Sequence, residues 1–248
     1  GITHVGMKRN HNEDNYLLLP EENLCCVADG MGGHSSGEIA SKIAVEELGE
    51  FFKMTSRDQD ATWPFKMDKT RNYDENRLAT GIKLANAKIY ERASSDSKYK
   101  GMGTTIVTVH FANSTAYVGH VGDSRVYFFR EGNLKQVTED HSLLNDYLKA
   151  KKLTPEEIEN FPHKNVIVRA LGMKDTVQVD VHVEAPVLGD VYLLCSDGLS
   201  GMVKDEDISA IATGDDDLDK VCEKLIAEAN KNGGVDNITV VAVRVEAA

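Results

Sequence analysis

Leu24-Cys25-Cys26-Val27-Ala28-Asp29-Gly30-Met31-Gly32-Gly33-His34 is the stretch on which the fold of this chain turns. Its first five residues are apolar; an aspartate and a glycine-rich turn follow, and a helix-compatible segment, Ser36 to Phe52, begins directly afterwards. A short continuous apolar run is the pattern of a buried strand. Here it delivers one carboxylate to the edge of a core, and the glycines let backbone groups approach whatever that carboxylate holds. A strand-ending Asp in a turn is common on its own; recurrence gives it weight.

The pattern recurs three times. Tyr117 to Val121 runs into Gly122-Asp123-Ser124-Arg125, and Val191 to Cys195 runs into Ser196-Asp197-Gly198. Gly233-Gly234-Val235-Asp236-Asn237 leads into the apolar run Ile238 to Val245. Four β-like segments therefore each carry an Asp at one end, in a glycine-containing turn. If those ends meet in space they form an all-oxygen acidic cluster, and clustered carboxylates repel one another unless a cation sits among them.

Composition narrows the class. At 248 residues the chain suffices for one large domain, 1–248, and is small for two. With 28 basic against 40 acidic residues the net charge is −12, which argues against general binding to nucleic acid or anionic membranes. No apolar run reaches the roughly 18 residues of a membrane span. The four cysteines, Cys25, Cys26, Cys195 and Cys222, show no metal-binding spacing and read as small buried hydrophobes in a reducing compartment. A cytoplasmic monomer is the expectation. The start at Gly1, without Met or signal peptide, reads as a processed or truncated end.

Taken in order, the chain reads as strands, two helices (Ser36 to Phe52 and Leu78 to Ala93), and then an antiparallel strand block. Its strands are Ile106 to Phe111, Thr115 to Val121, Arg125 to Phe129 and Leu134 to Val137. Two short helices follow, Ser142 to Lys149 and Pro155 to Phe161, as an insertion able to cover a cleft. Strands at Val177 to Val183 and Val191 to Cys195, helices at Glu206 to Ala212 and Asp217 to Lys231, and a last strand complete it. Met54 to Asn76 reads as a polar surface excursion. The class is α+β: two antiparallel sheets packed face to face with helices outside each, a four-layer αββα sandwich.

Carboxylates without Cys or His select hard divalent cations, Mg²⁺, Mn²⁺ or Ca²⁺. A pair of such ions is a hydrolytic device, and Arg9, in the polar segment Gly6 to Asn15, offers a planar fork for phosphate. Glu13 and Asp14 add two carboxylates near the chain start.

On these residues the chain resembles a known family. Gly6 to Asp14 (GxxRxxNED), Asp29 to His34 (DGMGGH), Gly101 to Thr105 (GMGTT) and Gly122 to Arg125 (GDSR) are followed in order by three more motifs. These are Thr138 to Ser142 (TEDHS), Ser196 to Gly198 (SDG) and Asp236 to Thr239 (DNIT). The ordered set is similar to the bacterial branch of the metal-dependent protein phosphatases, the protein phosphatase 2C or PPM family, over essentially the whole chain. The resemblance implies the family's αββα sandwich. It also implies hydrolysis of phosphoserine and phosphothreonine by a metal-bridging hydroxide, without a covalent intermediate.

By position, the resemblance implies two Mn²⁺ or Mg²⁺ ions bridged by Asp29, the first completed by Asp197 and Asp236. The second would be held by the Gly30 carbonyl and, through water, by Glu13. Arg9 would clamp phosphate, and Asp123 with Asp197 would hold a weaker third ion. Residues 141–171 would form a flap bearing on substrate choice, and the substrates would be phosphorylated proteins, a Ser/Thr kinase and its targets among them. Met31 stands where animal members carry a His assigned as general acid. The nearest candidate is His34, for protonating the leaving oxygen, contacting substrate or merely bonding locally at the helix start; a water on the third ion is the alternative. A catalytically inactive relative acting as a binding module is the competing reading, and the full set Asp29, Asp123, Asp197, Asp236 and Arg9 argues against it. A calcium-stabilised structural domain has no EF-hand loop to support it and leaves Arg9 without a role.

Overall fold

The computed structural model describes all residues except 33–35, 59–61, 151–152, 160, 162–165, 214–216 and 247–248. Among the described residues, eleven strands run β1 (Ile2–His4), β2 (Asp14–Leu19), β3 (Leu24–Met31), β4 (Gly103–Thr104), β5 (Ile106–Ala112), β6 (Thr115–Val121), β7 (Arg125–Arg130), β8 (Asn133–Gln136), β9 (Asp180–Glu184), β10 (Val191–Cys195) and β11 (Ile238–Arg244). Seven α-helices are described: α1 (Ser36–Arg57), α2 (Tyr73–Ser95), α3 (Leu143–Ala150), α4 (Pro155–Glu159), α5 (Asp197–Ser200), α6 (Asp205–Thr213) and α7 (Leu218–Lys231).

The strands form two antiparallel sheets. One is ordered β1-β11-β10-β7-β8; the other is β2-β3-β5-β6-β9, with β4 paired to β3. Alternation along β3 shows how the layers arise. Cys26 and Ala28 face a core shared with Leu48 and Phe52 of α1 and with Leu78 and Ile82 of α2. Cys25 and Val27 face the other way, into an inter-sheet core with Val126, Leu194 and Val241. A third core, Leu193, Cys195 and Val240 against Val221, Leu225 and Ile226, lies between the other sheet and α7. This is the four-layer αββα sandwich expected. All four cysteines are buried and free, and no helix among the described residues is long and apolar enough to cross a membrane.

Three expectations are corrected. The middle strand block is not one sheet: β5 pairs β6, and β7 pairs β8, but the chain crosses between sheets at Gly122-Asp123-Ser124. The excursion Met54 to Asn76 is shorter than expected, because α1 continues to Arg57 and α2 starts at Tyr73. Arg77 causes part of this. It is buried, and donates to Thr55 Oγ1 at 2.7 Å, to the Phe52 carbonyl at 2.6 Å and to Glu22 at 3.0 Å. The excursion is also anchored, since Trp63 packs edge-on against Phe51 at 5.7 Å. The strand expected over Val177 to Val183 begins only at Asp180.

Candidate metal centre

Antiparallel pairing brings five acidic side chains to one end of the sandwich. In the β2–β3 ladder Asp14 lies directly opposite Asp29. Asp197 follows β10 and Asp236 precedes β11, and those strands pair with Cys195 opposite Val240, so both residues emerge at the same end. Asp123 sits in the crossing between β6 and β7. The turn carrying it is fixed beyond Asp123 by Arg125, whose fork holds Asp140 through Nε at 3.0 Å and Nη2 at 2.7 Å.

The electrostatics record this convergence. Asp29 is pushed well above the ordinary carboxylate range by burial first and then by the charges of Asp14, Asp197, Asp123 and Asp236. Burial, followed by the charge of Asp197, pushes Asp123 up to about 7. Asp197 is raised by burial and by Asp236. Asp14 is raised to about 6 by burial, although hydroxyls of Thr239 and Ser196 pull it back. Buried Asp14 Oδ1 and Asp123 Oδ1 have no hydrogen-bond partner. Packed carboxylates with orphaned oxygens are strongly unfavourable as a bare protein arrangement. An all-oxygen donor set of this kind fits a hard divalent ion.

Arg9 and Glu13 flank the cluster. Arg9 Nη2 bonds Asp236 Oδ2 at 2.7 Å, with side chains 53% and 33% exposed. So exposed a pair contributes only about 0–1 kcal/mol, which leaves the guanidinium free to exchange partners. The Glu13 carboxylate meets the Gly37 backbone in the first turn of α1, and burial nevertheless raises it. The Glu13 backbone also shapes the site: its N–H donates to Asn237 Oδ1 at 2.8 Å, and its carbonyl accepts from Gly30 N–H at 3.2 Å. An open cleft of about 470 Å³, lined by Arg9, His11, Glu13 and Asn237 among others, lies over this end. His34 lies outside the described residues.

Gly30 sits where two backbones meet. A Cβ there would come within 2.2 Å of the Gly37 carbonyl oxygen and 2.5 Å of that of Glu13. Gly30→Ala is therefore expected to cost about 1–3 kcal/mol of stability and to displace Glu13. A urea-unfolding midpoint equal to that of the parent contradicts this close approach.

Sequence reasoning missed the hydroxyls behind the carboxylates. Ser196 Oγ and Thr239 Oγ1 donate to Asp14 Oδ2 at 2.8 and 2.7 Å. Thr105 Oγ1 accepts from Asp29 N–H at 3.0 Å and pairs with Ser124 Oγ at 2.7 Å. The available signal was their place inside motifs: Ser196, Thr239 and Ser124 lie in SDG, DNIT and GDSR, beside the aspartates or within a few residues of them, and Thr105 lies in GMGTT, which carries no aspartate.

A family profile described as Protein phosphatase 2C matches residues 7–237. The chain belongs to the protein phosphatase 2C family. Among its relatives in this family, the protein phosphatase PhpP of Streptococcus pneumoniae serotype 2 is 39% identical over 245 residues, covering 98% of this chain and 95% of that protein. The serine/threonine phosphatase stp of Listeria monocytogenes serovar 1/2a is 37% identical, covering 97% of this chain and 93% of that protein. Solved serine/threonine phosphatase structures superpose closely. The serine/threonine phosphatase PstP/Ppp of Mycobacterium tuberculosis gives a TM-score of 0.86 at 32% identity, covering 99% and 97% of the two chains. The catalytic domain of PstP in complex with two manganese ions gives 0.81 at 32% identity, covering 99% and 96%.

Proposed function

We propose that this chain is a metal-dependent protein phosphatase that hydrolyses phosphoserine and phosphothreonine, with Mn²⁺ or Mg²⁺ held by the aspartate cluster. The observation that carries the reading is the convergence of Asp29, Asp123, Asp197 and Asp236 at one sheet end, with orphaned carboxylate oxygen and Arg9 at the rim. The solved PstP complex with two manganese ions supports the choice of ion.

In this reading Asp29, Asp197 and Asp236 would hold one ion, and Asp29, the Gly30 carbonyl and Glu13 would serve the other. Asp123, with Asp197, would hold a weaker third ion. When bound, the ions lower the pKa of a water and polarise the phosphoryl oxygens. Arg9 exchanges Asp236 for the phosphate dianion, a bidentate match for its fork, and so orients the phosphoryl group over the cluster. Ser196 and Thr239 hold Asp14 on one oxygen and leave the other, buried opposite Asp29 in the ladder, without a hydrogen-bond partner.

We assign the whole of 1–248 to one catalytic unit, with 141–171 as its flap. We also propose that it works as a cytoplasmic monomer on phosphorylated proteins, a Ser/Thr kinase and its targets among them. The test is Mn²⁺-dependent phosphate release from matched phosphothreonine and phosphotyrosine peptides. Release from the first at least about tenfold faster, and abolished by chelator, is expected; equal rates contradict the substrate class, and chelator-resistant release contradicts the metal reading.

A further inference from the structure

Beside the carboxylate end, His120, His141 and Asp180 bring ligand-capable atoms within 4.8 Å of one another. Hydrogen bonding decides what this cluster does. His120 Nε2 faces the Glu139 carbonyl oxygen at 2.9 Å, and a carbonyl only accepts, so the proton is on Nε2. Gly122 N–H donates to His141 Nδ1 at 3.0 Å, so that nitrogen carries the lone pair. The proton of the neutral His141 ring is then on Nε2, which donates to Asp180 Oδ2 at 2.9 Å. A ring accepting on one nitrogen and donating on the other has no lone pair left for an ion. His141 and Asp180 are thus a hydrogen-bonded pair, with the His120 ring stacked on His141 at 4.6 Å, and His141 is not available as a metal ligand.

His141 grips Gly122 by both of its backbone groups. Besides accepting at Nδ1, it donates its own N–H to the Gly122 carbonyl at 2.9 Å. Gly122 has φ +112°, and a Cβ there would meet Thr105 at 2.6 Å, so this residue is glycine by necessity and is held in place by its neighbours. The next residue is Asp123. The His141 carbonyl accepts from Val168 N–H at 2.9 Å, and Ser142 bridges Ile167. One histidine therefore joins both arms of the 141–171 segment to the turn that presents Asp123. Asp180 fixes the ring, and Arg169 Nη1 in turn holds Asp180 Oδ1 at 3.1 Å.

We propose that His141, oriented by Asp180, is a positioning residue for the Asp123 ion site and couples the root of the flap to it. The inference rests on reading Asp123 as the ligand of a third, weaker ion. It adds that the affinity of that ion is set by a side chain that never touches it, as supporting partners of metal ligands do elsewhere.

The test is titration of the full chain with MnCl₂ alone, followed by calorimetry and by the free-Mn²⁺ resonance signal. The parent is expected to bind two ions tightly and one weakly, and Asp123→Asn to lose only the weak event. His141→Ala is expected to weaken that event by about 10–100-fold, leaving the tight pair unchanged. His141→Asn, whose amide oxygen takes the place of Nδ1 and accepts from Gly122, restores it to within about threefold of the parent. Asp180→Ala, which leaves His141 itself in place, is expected to weaken the same event and decides the matter should His141→Ala fail to fold. Loss of the weak event in Asp123→Asn, together with parent-like titrations of both His141→Ala and Asp180→Ala, overturns this inference alone. So does failure of His141→Asn to rescue. A weak event intact in Asp123→Asn overturns the reading of Asp123, and this inference with it.

Discussion

Asp197→Asn is expected to lose at least about 100-fold in Mn²⁺-dependent hydrolysis of an aryl phosphate while its metal-free form melts no lower than the parent. Losing an outer partner of a metal ligand typically costs about 10–100-fold, and Asp197 belongs to the proposed ligand set itself. The second half of the expectation distinguishes a ligand from a structural residue. Asp197 is raised by burial and by the charge of Asp236, so replacing it with a neutral amide of the same shape removes repulsion from the bare protein. Its helical contact is made by the backbone, where the Asp197 carbonyl accepts from Gly201 N–H at 2.7 Å. Near-parent turnover sinks the ligand assignment; inactivity with a large fall in melting temperature shows a structural role instead.

The second large effect is a pH-dependent stability that manganese removes. Burial and neighbouring carboxylates hold Asp123 at about 7 and Asp29 well above its ordinary value. A carboxyl whose folded-state value is raised keeps its proton in the folded chain after the unfolded chain has released it. Its contribution therefore falls as pH rises towards the folded-state value. His120, pushed down to about 4 by burial, works in the opposite direction, and the last part of its gain, about 0.4 kcal/mol, still comes between pH 6.5 and about 7.5. Between pH 6.5 and 8.5 the metal-free protein is expected to lose on the order of 1 kcal/mol through Asp123, with Asp29 acting in the same direction, so that the acidic cluster outweighs the His120 gain. With saturating Mn²⁺ the ionised carboxylates become ligands and the loss disappears. Urea midpoints measured at both pH values, in chelator and in Mn²⁺, check this. A metal-free midpoint that rises over the interval contradicts the cluster's electrostatics.

Both expectations rest on features of unequal visibility in the sequence. The strand ends were legible because an apolar run, an Asp and a glycine coincide at Asp29, Asp123, Asp197 and Asp236, and apolar runs decide which way a strand is buried. The crossing at Gly122-Asp123-Ser124 was not. Three polar or small residues between two buried strands look like a hairpin turn, and only the pairing of β6 with β9 and of β7 with β10 separates the sheets. The end of α1 was hidden for a different reason. Thr55 and Ser56 read as loop, yet Thr55 Oγ1 donates to the Phe51 carbonyl at 2.9 Å and accepts from buried Arg77. A charged residue satisfied by distant partners leaves no periodic trace.

The site was legible to the same degree. Aspartates stand out, but the hydroxyls of Ser196 and Thr239 that hold Asp14 belong to residues 43 apart, and are joined only when β10 and β11 pair. His141 shows the same limit. Its role depends on which atoms face each ring nitrogen, and those come from Gly122 and Asp180.

Anomalous diffraction at the manganese edge from crystals grown with MnCl₂ tests the central claim most directly. The account predicts two peaks within about 4 Å of each other, with Asp29 reaching both and Asp197 and Asp236 reaching one, while Arg9 has left Asp236. Peaks confined to His120, His141 and Asp180, or none near Asp29, would contradict it.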